Sequence, residues 1–181
     1  MLVYIFDYQN KTNYTIMKTK QILLTLLLMV ALTFASNAQE NQILIGCFSG
    51  STPSMGYSSA KLDIIMKLYL NDGNTYTNSS IKYDTDENGN GFFYIRSETT
   101  GATVGVTLET QGNFLYLKKG CKHSCSSTGT CACDLKIVTQ CESIQCVCAT
   151  GEGGCSSSIE TGFAVDAVLL EYATNNPANC N

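Results

Sequence analysis

The chain has 181 residues, with 11 Lys+Arg against 15 Asp+Glu, ten cysteines, one histidine and no tryptophan. A net charge of −4 and a pI near 4.9 argue against a nucleic-acid binder, which needs a basic face to neutralise phosphates. Apolar residues at 44% and charged residues at 14% argue against a disordered chain. One imidazole leaves no spare parts for a His-based triad or a His-rich metal site.

The first recognisable segment starts at Met17. Lys18 and Lys20 form a positive region, and Ile22 to Phe34 is an apolar run interrupted by Thr25 and Thr33. Ser36 and Ala38 then put small residues at the −3 and −1 positions of a cleavage site, the three-part pattern of a secretory signal peptide. The run is shorter than the roughly 20 residues that span a bilayer. No cysteine follows the cut and no arginine pair precedes the run, so neither a lipid anchor nor a twin-arginine signal is expected. Residues 1–38 are therefore read as leader, with 17–38 the signal peptide and Met17 the expected start. The mature chain would be 39–181, more acidic than the whole, with no membrane span. All ten cysteines lie within it.

Residues 39–118 read mostly as β and contain only Cys47. Gln42 to Phe48 is a first strand. Leu62 to Leu70 is ambiguous: Leu62, Ile65, Met66 and Tyr69 fit a helical face, but the run is short and stops at Asn71-Asp72-Gly73, so the reading leans to strand. Ile81-Lys82-Tyr83 and Phe92-Phe93-Tyr94-Ile95 flank an Asp/Asn/Gly cluster. Ala102 to Leu108 alternates Val104, Val106 and Leu108 with small or polar residues. Phe114 to Lys118 follows a Gln111-Gly112-Asn113 turn. Two such runs joined by a Gly-containing loop are a hairpin signal. Phe163 to Tyr172 fits either a helix or a buried strand.

Residues 121–155 hold eight cysteines, Cys121, Cys125, Cys131, Cys133, Cys141, Cys146, Cys148 and Cys155, and Cys180 is the last. From Cys125 to Cys141 and from Cys141 to Cys155 the gaps follow one pattern, which reads as a tandem repeat. The stretch is rich in Ser, Thr and Gly and poor in large aliphatics, so covalent links must replace the missing core. An even number of cysteines in an exported chain reads as a disulfide framework using all ten, Cys47 and Cys180 included. In an extended strand both sulfurs of Cys131/Cys133 or of Cys146/Cys148 face one side. A bridge inside either pair would be a tight ring, so each cysteine should pair elsewhere. Ten cysteines allow roughly nine hundred pairings, and sequence does not choose among them. Cys146-Val147-Cys148, with Gly151, Gly153 and Gly154 before Cys155, resembles in spacing the ending of EGF-like modules. This is an analogy over a small part of the chain, without the first cysteine or the usual aromatic, and implies no family.

The competing use of these thiols is a site for zinc, copper or an iron–sulfur cluster, with His123 two residues from both Cys121 and Cys125. Redox chemistry would prefer Cys-x-x-Cys, which does not occur. Asp84-Thr85-Asp86-Glu87-Asn88-Gly89 matches the first half of a calcium loop, making Asp84, Asp86 and Asn88 weak calcium candidates. Position twelve is Ile95 where a glutamate is expected, and a hairpin tip explains the same residues. Asn78-Ser79-Ser80 is a glycosylation sequon.

No nucleophile elbow, His-Glu-x-x-His motif or phosphate loop occurs, so no catalytic residue is assigned. His123 as a general base, or Glu98, Glu109 and Asp63 as paired carboxylates, carry no sequence signature. The expected fold is mainly β, or α+β with one or two short helices. A small antiparallel-sheet domain at 39–118 is joined by a cysteine-rich, loop-dominated segment at 119–181, packed on the same domain. The expected protein is an exported, secreted or periplasmic, non-enzymatic binding, surface or structural module with no resident cofactor and an unidentified extracellular ligand. The alternatives are a thiolate metal-binding protein using 121–155, and a secreted enzyme or a protease inhibitor presenting Gly151 to Gly154.

Overall fold

The computed structural model describes residues 41–139 and 141–180. The leader expected at 17–38 and the residues before it lie outside them. The described chain is mostly β, with ten strands and two short helices.

The chain opens with the strands β1 (Ile43–Ser49) and β2 (Thr52–Met55), followed by the helix α1 (Ser59–Leu70). Strands β3 (Thr77–Thr85), β4 (Gly91–Thr99), β5 (Ala102–Gln111) and β6 (Phe114–Leu117) come next. The cysteine-rich segment contributes β7 (Gly120–Gly129), β8 (Ala132–Thr139), β9 (Ser143–Thr150) and β10 (Gly153–Phe163), and α2 (Ala167–Asn175) closes the chain.

Strand β5 organises the sheet. One edge pairs with β4 from Leu108↔Phe93 to Ala102↔Thr99, and β4 pairs with β3. The other edge is shared: its first half, Ala102 to Val106, pairs with β7, and its end, Glu109 to Gln111, pairs with β6. Beyond β7 lies β10; beyond β6 lie β1 and β2. All these pairings are antiparallel. The β8–β9 hairpin is a separate two-stranded sheet.

The leaning of residues 62–70 to strand is corrected: they are the helix α1. Leu62, Ile65, Met66, Tyr69 and Leu70 are its buried residues, at the i, i+3, i+4, i+7, i+8 spacing of a helix face. Asn71 ends it in the left-handed conformation (φ 42°), its N–H donating to the Lys67 carbonyl. The undecided tail is divided: Phe163 ends β10, and Ala167–Asn175 is helical. Asp166 caps this helix, its side chain accepting from the Leu169 N–H at 2.8 Å.

Side chains alternate across a strand, and both faces of β4 and β5 are covered. Phe93, Ile95, Val104, Val106 and Leu108 join α1, β1, β6 and Leu169 of α2 in the main core. Phe92 and Tyr94 point the other way, into a second cluster with Cys125, Leu135 and Ile137. Leu135 and Ile137 come from β8, so the β8–β9 hairpin is a third layer on the face opposite the helices. Gly105 permits its close approach: a Cβ there would run into Leu135.

Candidate functional site

The hairpin layer brings little apolar surface of its own. Four disulfides hold it. Cys121 of β7 is joined to Cys141 in the β8–β9 turn, and Cys125 of β7 to Cys146 of β9. Cys131, just before β8, is joined to Cys148 of β9, and Cys133 of β8 to Cys155 of β10. The first four cysteines of the block pair in order with the second four, at separations of 17 to 22 residues. Two bridges tie the hairpin to β7, one ties it to β10 and one spans its own strands. Noncovalent ties are few. Thr103 Oγ1 donates to the Cys133 carbonyl at 2.8 Å, the Glu87 N–H donates to the Val138 carbonyl at 3.2 Å, and Arg96 pairs with Asp134 at 3.3 Å.

The sulfurs form two clusters. Cys121 and Cys141 gather around His123, with Cys121 Sγ 3.4 Å from Nε2. Cys131, Cys133 and Cys155 form the other; Cys131 Sγ lies 3.4 Å from Cys155 Sγ and 3.8 Å from Cys133 Sγ. As disulfides these sulfurs are not thiolate ligands. Reduced, the first would offer two thiolates and an imidazole, and the second three thiolates.

His123 is fully buried. The Cys141 N–H approaches its Nε2 at 3.4 Å, and its Nδ1 has no partner among the described residues. Burial alone lowers its pKa from 6.5 to about 4, so the ring is neutral at pH 7. A buried neutral ring against a disulfide is packing, not an accessible general base.

The opposite face of β7 is polar. Lys122 is nearly buried and held by Asp72 at 2.8 Å and Glu160 at 3.1 Å. Burial pushes Asp72 up, but hydrogen bonds from Lys122, Tyr76 and Asn74 outweigh it and hold its carboxyl far below the usual range. Beside this triangle a groove of about 260 Å³ is lined by Ser124, Ser126, Ser158 and Asn74 among others, and Ser124 Oγ is buried without a partner among the described residues. On the hairpin side a second groove, about 310 Å³, runs between Arg96, Glu98, Thr103 and the bridged Cys131 and Cys133. Sequence reading missed Arg96, Lys122, Asp72 and Glu160 because each is an isolated charge in the chain. Their meeting depends on contacts between residues up to fifty apart in the chain.

The carboxylates considered for catalysis have separate structural partners. Glu98 accepts from Asn78 at 2.8 Å and from Arg96 at 2.9 Å, which hold its carboxyl below its usual pKa. Asp63 accepts from the Ser79 N–H at 2.9 Å, and Glu109 faces Lys118 at 3.6 Å. The acidic loop is the β3–β4 hairpin tip. Asp86 Oδ1 accepts from the N–H groups of Asn88 and Asn90, its Oδ2 from the Asn90 side chain at 3.0 Å, and Gly89 takes φ 81°. Asp84 accepts from the Thr85 N–H at 2.8 Å. These donors engage one oxygen of Asp84 and both of Asp86, which with Asn88 are the calcium candidates. Asn78 of the sequon is exposed, but its amide is engaged by Glu98.

Gly151 and Glu152 connect β9 to β10 as a tight turn, with Gly151 at φ 94° and Gly153, the first residue of β10, at φ 129°. Thr130 pins Glu152 through both its N–H and its carbonyl. The stretch is framed by Cys148 and Cys155. Cys47 and Cys180 are not bridged in this structure. They lie outside the ladder, where the eight cysteines of 121–155 satisfy one another.

Fold and site together define a mainly β module whose poorly cored layer is fastened by a disulfide ladder. No protein-family model matches the chain, and no curated protein or solved structure matches it.

Proposed function

We propose that this chain is an exported, non-enzymatic binding, surface or structural module, made durable outside the cell by covalent links. One observation carries the reading: four disulfides fasten a hairpin whose own apolar contribution is essentially Leu135, Ile137 and Ile144. Such bridges form and persist in oxidising compartments and are rare in reducing ones. Each would contribute about 2–4 kcal/mol. The leader pattern at 17–38 supports export, and the ligand is expected to be extracellular or on a cell surface. Among the described residues no helix is long and apolar enough to cross a membrane.

The metal reading keeps one supporting observation, two clusters of three sulfur or imidazole donors, the atoms of each lying within 4.8 Å of one another. Intact mass and elemental analysis of the full chain, produced through an exporting host, separate the two. The disulfide reading expects every thiol of 121–155 to resist alkylation without reductant, and no metal to co-purify. Free thiols in that segment with stoichiometric zinc or copper would replace it with a thiolate centre.

A further inference from the structure

None of the four bridges reaches residues 41–118 or the tail beyond β10. Only Cys47 and Cys180 remain to make such a link, and the fold brings them together. Cys47 sits on β1 between Ser54 of β2 and Phe114 of β6. One step along, Gly46 pairs with Met55, and the next residue, Gly56, donates its N–H to the Ile45 carbonyl at 3.0 Å. The tail docks at that point. The Asn179 N–H donates to the Gly56 carbonyl at 2.8 Å, and Ala178 packs so closely on Gly56 that a Cβ there would lie 2.8 Å from the Ala178 methyl. Cys180 follows immediately, and its thiol is near enough to Cys47 for the two to influence each other's charge. Both are half-buried.

We propose that Cys47 and Cys180 are a covalent modification site: they form a fifth disulfide that clasps the end of the chain to its first strand. The oxidant is a disulfide, either glutathione disulfide or the active-site disulfide of a thiol oxidase. One cysteine thiolate attacks a donor sulfur and expels a donor thiolate. The second cysteine then displaces the remaining donor sulfur from the mixed disulfide. Two S–H bonds are lost, one S–S bond forms, and the donor leaves reduced as two thiols. The clasp closes a longer loop than any bridge in the ladder, and long loops gain most from cross-linking. It also fixes α2 and Pro177 over the apolar groove of about 260 Å³ lined by Ile43, Tyr57, Leu170 and Ala173.

The test uses the full chain, secreted or refolded in a glutathione redox buffer, then denatured without reductant and alkylated. No adduct is expected, with a peptide map linking the Cys47 and Cys180 peptides. Cys47→Ser should yield one adduct, on Cys180. The double variant Cys47→Ser, Cys180→Ser should keep the four ladder bridges and melt roughly 10 °C lower. Two adducts on the unmodified sequence, a link from either cysteine to one in 121–155, or a link between two chains would overturn the clasp. Because the map reports each pair separately, failure of the clasp is distinguishable from failure of the ladder.

Discussion

His123 shows how one side chain reports its surroundings. Nothing compensates the charged form of this buried ring, so its pKa falls from 6.5 in the unfolded chain to about 4 in the fold. Above pH 6.5 the ring is neutral in both states and costs nothing. Between pH 6.5 and 4 the unfolded chain binds a proton that the folded chain refuses, so stability falls as the pH drops. The loss levels off below pH 4 at up to about 3 kcal/mol. Urea unfolding at pH 7 and pH 4.5 should show this drop in the unmodified protein and a much smaller one in His123→Gln. An equal drop in both would locate the acid sensitivity elsewhere. Asp72 acts in the same direction but lower: its contribution is lost as the pH falls from the ordinary carboxylate range, where the unfolded chain takes up the proton, toward the much lower pH at which the folded carboxyl does. Its partner Lys122, on the next position of β7, lies on the opposite face of the strand, so β7 puts sulfur and imidazole toward the hairpin and charge and hydroxyls toward the groove.

At the scale of elements, α1 is stabilised by what it buries. The Ser58 side chain makes no capping hydrogen bond and no acidic residue lies in the first turn, so local signals contribute little. Leu62 is fully buried, and Leu62→Ala should cost about 2–5 kcal/mol through lost burial and a residual cavity. The second helix is the reverse case. It buries chiefly Leu169 and depends on its cap, so Asp166→Ala should cost about 1 kcal/mol. Chemical denaturation of both variants checks the ranking; a larger cost at Asp166 would mean that capping outweighs burial in this fold. The β8–β9 hairpin depends on neither. Its strands pair from Ala132↔Thr150 to Thr139↔Ser143, but a two-stranded ribbon is marginal alone, and its attachment is chiefly sulfur.

Across the whole molecule this division predicts where reduction acts. β7 and β10 are hydrogen-bonded into the same sheet as β4 and β5, so cutting the bridges should not release them as readily as the hairpin. With dithiothreitol, amide protection should fall first and furthest in 131–150, while 92–108 and 115–117 stay protected by the main core. Equal loss in both regions, followed by hydrogen exchange, would show that the ladder holds the entire fold rather than one layer of it.

Several features were already legible in the residues. The alternation of Val104, Val106 and Leu108, the turn at Gln111-Gly112-Asn113 and the Asp/Asn/Gly tip all encode local β structure, because period and turn chemistry act over a few residues. Cysteine density outside a reducing compartment likewise encodes cross-linking. What sequence left open involved distance. Phe92-Phe93-Tyr94-Ile95 is apolar without alternation because helices cover one face of β4 and the stapled hairpin covers the other, and a one-dimensional pattern cannot say which residue faces which layer. Residues 62–70 became a helix because one sheet face needed an apolar stripe at helical spacing. The pairing of Cys121, Cys125, Cys131 and Cys133 with Cys141, Cys146, Cys148 and Cys155 was settled only by the fold. A disulfide needs two sulfurs at one point in space, and strand registers set over a hundred residues decide where that point lies.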